Sequence, residues 1–69
     1  MTGADLRRIR LEHGLTQEAF GRALGLSGTG QSVQTSLYRY EAGLRPVPPR
    51  IVLHLLDLGW YSPPKRRAS

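Results

Sequence analysis

The stretch Ser36-Leu37-Tyr38-Arg39-Tyr40-Glu41-Ala42-Gly43 reads as the end of a helix, with Gly43 as its stop. At about 100° per residue, Val33, Leu37, Tyr40 and Glu41 fall on one face, so a carboxylate shares the apolar stripe. An earlier segment repeats the device with the opposite charge: Leu6, Ile9 and Arg10 stand at i, i+3 and i+4. Glu41 and Arg10 are therefore the two ionic residues set on inward stripes, and the expectation is that they pair across the domain. An arginine fork satisfies both carboxylate oxygens, whereas a lone buried carboxylate is costly. The alternative is two solvent-exposed charges that contribute little.

Working outward, Thr2 reads as an N-cap with Asp5 in the first turn, and a first helix extends over residues 5–13 to a stop at Gly14. Thr16 caps a second, short helix in which Phe20 and Leu24 mark a buried face; Gly25 closes it. The segment GLSGTGQSV, residues 25–33, has the composition of a loop. A third helix begins at Ser32 or Val33 and runs to Ala42. A proline-rich turn over residues 44–49 then leads into a fourth helix at 50–58, which ends at Gly59. The fold class expected is all-α, a compact domain of four to five helices over residues 1–61. The segment after it, 62–69, reads as a flexible basic tail.

Length and composition bound the function. The chain has 69 residues, one small domain's worth, with a stability margin of roughly a few kcal/mol. Cysteine is absent, so there is neither a disulfide staple nor a thiolate metal site. No metal site or cofactor is expected. The longest apolar stretch, IVLHLLDLGW, is too short to span a bilayer, and no secretory pattern opens the sequence, so a cytoplasmic location is the expectation. Ten Lys and Arg against five Asp and Glu give a net charge of +5, which favours a polyanionic partner: nucleic acid first, an anionic membrane surface second. Catalysis finds little support. His13 and His54 lack a surrounding carboxylate set, and GLSGTGQS lacks the Gly-Lys-Ser/Thr ending of a phosphate-binding loop. His13 is read as a partner for the C-terminal dipole of the first helix.

The outer face of the third helix is polar. Gln34, Thr35, Tyr38 and Arg39 project from it. Glutamine can address adenine N6 and N7, arginine guanine O6 and N7, and threonine the thymine methyl group. The same residue types also decorate ordinary solvated faces.

Taken together, LRRIRLEHGLTQEAFGRALGLS and QTSLYRYEAG resemble the phage-repressor (Cro-like, XRE) helix-turn-helix family. The marks are Leu6-x-x-Ile9-Arg10, Gly14-Leu15-Thr16-Gln17-Glu18, Phe20, Leu24-Gly25-Leu26-Ser27, Leu37, Arg39 and Glu41-x-Gly43, over residues 6–58. The resemblance implies a lambda-repressor-like domain in which Arg10 and Glu41 form an internal ion pair. It also implies base contacts by Gln34, Thr35, Tyr38 and Arg39, and phosphate contacts by Gln17, Arg45 and Ser36. The Arg-Tyr-Glu-x-Gly signature is further similar to DNA-binding domains of some antitoxins and of small regulators that accompany anti-CRISPR genes.

Two departures stand out. About six extra residues, 28–33, precede the recognition helix, so an extended loop is expected there; Thr29, Gln31 or Ser32 could bring it to a phosphate. Gly21 stands where the family usually has alanine, and either small residue is expected to keep the helix contact. The function implied is a sequence-specific double-stranded DNA-binding regulator, an autorepressor of a small phage or mobile-element operon such as an anti-CRISPR operon, on an inverted-repeat operator. The alternative is an antitoxin or adaptor whose main partner is a protein. Leu11, Leu53, Leu56 and Trp60 are candidate homodimer contacts; the competing reading folds Trp60 and Tyr61 back over the fourth helix. Lys65, Arg66 and Arg67 could add phosphate contacts.

Overall fold

Thr2, Thr16 and Thr29 each accept a hydrogen bond at 3.1 Å from the backbone N–H three residues on, so three helices begin on a threonine cap. In the computed structural model, which describes residues 1–62, the helices are α1 (Gly3–Glu12), α2 (Gln17–Ala23), α3 (Gly30–Glu41) and α4 (Pro49–Leu58). No strand forms among the described residues. The cap at Thr2 is reciprocal, because the Thr2 N–H also donates to Asp5 Oδ2 at 3.1 Å. The two hydrogen bonds from Thr2, backbone first and then hydroxyl, hold the Asp5 carboxyl below its ordinary range, and Arg8 adds to the effect.

The apolar stripes converge on one core. Leu6 and Ile9 of α1, Phe20 and Leu24 from α2 and its cap, Leu37 of α3, and Ile51 and Leu55 of α4 form the buried cluster. Fully burying a side chain of this size contributes about 1.5–3 kcal/mol, so this small set accounts for most of the drive to fold. Gly59 ends α4 in the left-handed region at φ 73°, a conformation that costs glycine little. The turn is closed by hydrogen bonds from the Gly59 N–H to the Leu56 carbonyl and from the Trp60 N–H to the Leu55 carbonyl. It reverses the chain so that the Trp60 ring stacks on His13, with centroids 4.2 Å apart, and lies parallel to Phe20 at 6.0 Å. His13 Nδ1 donates to the Ile9 carbonyl at 2.9 Å, so the ring sits at the end of α1 and serves as a platform for the indole.

The structure corrects the reading of residues 28–33 as an extended loop. Thr29 is the N-cap of α3 and residues 30–33 are its first turn, leaving only 24–29 as connection. Tertiary packing overrides a loop-like composition here. Val33 is buried, and the Glu18 carboxylate lies so close to Gly30 that a Cβ there would sit 2.7 Å from its oxygen. Arg22 pairs with Glu18 at 3.3 Å and donates to the Gly28 carbonyl at 3.3 Å, tying the connection to α2.

Gly21 also departs from expectation. A Cβ on it would stand 2.5 Å from Val33 Cγ1, so alanine cannot replace glycine without a shift. Glycine at this position sets how closely α2 approaches α3.

Candidate nucleic-acid interface

Burying Val33 and Leu37 turns the opposite side of α3 to solvent. Gln31, Gln34, Thr35 and Tyr38 line one recess with Gln17, and Thr29, Ser32, Ser36 and Arg39 line the next. A third groove of about 730 Å³ lies between α1, the start of α2 and the end of α3, and Tyr38 and Gln17 belong to it too. Shared lining residues place the three recesses side by side along the outer side of α3. Tyr38, 54% exposed, lines two of them.

This face takes its orientation from one ionic tie. Arg10 Nε donates to Glu41 Oε2 at 2.7 Å and Nη2 donates to Oε1 at 3.2 Å, while Nη1 donates to the Leu15 carbonyl at 3.0 Å. The Glu41 side chain is only 4% exposed and that of Arg10 13%, so the pair is nearly removed from water. Gln17 Nε2 donates to the same Glu41 Oε1 at 3.3 Å. The Gln17 amide is thus held at the mouth of the groove, with a second N–H left to offer outward.

Charge follows the same geometry. Among the described residues the salt bridges use Arg8, Arg10 and Arg22, which leaves Arg7, Arg39, Arg45 and Arg50 outside any ion pair. Arg39 lines the recess at one end and Arg7 the groove at the other. Arg7 escaped the sequence reading, because Arg7-Arg8 looks like two solvated charges on the outside of α1. Its i, i+3 relation to Arg10 was the signal that places it beside the groove. Arg45 is exposed just beyond α3, and Ser36 is half-buried.

A family model for the helix-turn-helix domain matches residues 3–67. The chain belongs to the helix-turn-helix domain family. Membership covers nearly the whole sequence and supports DNA binding as the activity of the domain. Comparison with curated proteins and with solved structures finds no match.

Of the candidate contacts, the structure gathers Gln17, Gln31, Gln34, Thr35 and Tyr38 around one recess, and Thr29, Ser32, Ser36 and Arg39 around the adjoining one. Arg45 lies outside both. The candidate dimer residues divide. Leu11, Leu53 and Leu56 are exposed, by 55%, 60% and 38%, whereas Trp60 is half-buried on the core. Tyr61 also packs on the core cluster, so the fold-back covers the core and leaves the outer leucines of α4 open. Lys65, Arg66 and Arg67 lie outside the described residues. No helix among the described residues is long and apolar enough to cross a membrane.

Proposed function

We propose that the protein is a sequence-specific regulator of transcription that inserts α3 into the major groove of double-stranded DNA. The observation that carries this reading is the exposed outer face of α3, which presents Gln34, Thr35, Tyr38 and Arg39 outward from a helix whose other side, Val33 and Leu37, is locked into the core. Arg39 is suited to guanine, Gln34 to adenine and Thr35 to a thymine methyl group. Gln17, Arg7 and Arg45 supply phosphate contacts that set the register. The protein acts as an autorepressor of a small operon, of the phage or mobile-element kind suggested by its sequence resemblance, and works in the cytoplasm.

Two copies occupy an inverted repeat, with the exposed Leu53 and Leu56 of α4 as the contact between them. Half-sites about one helical turn apart follow from that symmetry. The same exposed leucines are what favours the second reading, an antitoxin or adaptor that docks a different protein on α4 and binds DNA secondarily.

Selection of bound duplexes from a random pool tests the proposal. A recurrent motif arranged as two inverted half-sites is the expected result. Recovery of duplexes with no common motif overturns sequence-specific regulation.

A further inference from the structure

The charges of α4 run against its own dipole. In α1 and α2 an acidic residue stands in the first turn and a basic one in the last, Asp5 with Arg10 and Glu18 with Arg22, as the helix dipole favours. α4 inverts the order: Arg50 is second from its start and Asp57 second from its end, so each charge sits at the helix end of its own sign. Neither takes part in a salt bridge among the described residues. Both are exposed, and Arg50, Leu53 and Asp57 form one stripe at i, i+3 and i+7, with exposed Leu56 beside it. Ile51 and Leu55, on the other side of the helix, are buried in the core.

We infer that α4 packs antiparallel on α4 of a second copy, with Arg50 of each copy paired to Asp57 of the other and Leu53 at the centre. The inference deepens the two-copy arrangement proposed above and rests on it. Because Arg50 and Asp57 are equally far from the two ends of α4, an antiparallel copy with its ends aligned brings each arginine level with the opposite aspartate. A two-fold axis forms that contact twice, as a self-complementary interface requires. Each charge also meets the opposite pole of the neighbouring helix, so the unfavourable placement within one copy becomes favourable between two. A foreign partner has no need of this symmetry. One helix laid on another buries less than the roughly 1,200 Å² of a standard interface, so the pair is weak off DNA and forms at high protein concentration.

Sedimentation without DNA, across a wide concentration range, tests the pairing with wild type, Arg50→Asp, Asp57→Arg, the double variant and a 1:1 mixture of the two single variants. Each single variant opposes like charges twice and is expected to associate at least tenfold more weakly than wild type. Each also gives α4 the charge its dipole prefers, so the melting temperature of the dilute protein is expected not to fall. The double variant and the mixture restore opposite charges at both contacts and are expected to regain association. Single variants that associate like wild type overturn the inference, as does a mixture that associates no better than its components. A wild type that stays monomeric at every concentration, and also on a selected inverted repeat, removes the two-copy reading itself. Wild-type association that ignores the charge reversals removes only the Arg50–Asp57 pairing, which separates the two failures.

Discussion

The guanidinium of Arg10 grips the carboxylate of Glu41 with two hydrogen bonds, 2.7 Å and 3.2 Å long, and so joins α1 to the last turn of α3. Because α3 carries the proposed DNA-reading face, this contact sets the direction in which that face points. Pairs of this kind are weak sources of net stability but strong determinants of geometry, since removing one partner strands the other charge out of water. Arg10→Ala and Glu41→Ala are each expected to cost about 3 kcal/mol, a large share of what a domain of this size possesses. The double variant Arg10→Ala with Glu41→Ala is expected to lose much less than the sum of the single losses. Urea unfolding at low temperature checks both, and additive losses contradict the tie.

Close approach of α2 to α3 makes a second prediction. Gly21→Ala gains about 1 kcal/mol in helix propensity but drives a methyl group into Val33, and overpacking costs about 1–3 kcal/mol. Net destabilisation of about 1 kcal/mol is expected. Val33→Ala relieves the clash, so it costs less in the Gly21→Ala background than in the wild type. Equal costs in the two backgrounds contradict the steric account.

The capping box at Thr2 gives α1 a pH dependence. The folded carboxyl of Asp5 titrates below its ordinary value because it accepts hydrogen bonds from Thr2. Its contribution is therefore fully present above the unfolded value of about 4 and is lost as pH falls through the lower folded value. Asp5→Asn is expected to flatten the acid limb of the stability profile below about pH 4 and to leave the profile near neutrality with the same slope. Thermal melts of both proteins across that range provide the check. An unchanged acid limb contradicts the linkage.

Much of this architecture is legible in the sequence, and the reasons are local. Thr2 and Thr16 announce helix starts because their hydroxyls cap the backbone three residues on, and Gly59 announces a stop because of its backbone freedom. Arg10 and Glu41 are legible as ionic residues at positions where the helical period demands apolar ones. The start of α3 is hidden, since Gly28, Gly30 and Ser32 look like loop, and the turn is held by Val33 and the Glu18–Arg22 tie, all contacts with or within α2. Arg7 is partly hidden for a related reason: its i, i+3 spacing from Arg10 puts it on the adjoining stripe of α1, but the placement of α1 against α3 is what brings it to the groove that Tyr38 shares.

Arg7 yields a fourth prediction. As a phosphate contact it contributes through counterion release, so Arg7→Gln is expected to weaken all DNA sequences evenly. The slope of log affinity against log salt should fall by about 1. Titrations across several salt concentrations measure this. An unaltered slope shows that Arg7 does not meet the backbone.

The central claim is that the outer face of α3 recognises DNA sequence. Its most direct test is the ratio of affinities for a selected duplex and a scrambled one at fixed salt, measured for the wild type and for Arg39→Ala. The wild type is expected to prefer the selected duplex by about 10³-fold or more, and Arg39→Ala to lose roughly tenfold or more of that preference while staying folded. Equal wild-type binding to both duplexes, or a ratio that Arg39→Ala leaves intact, contradicts the claim.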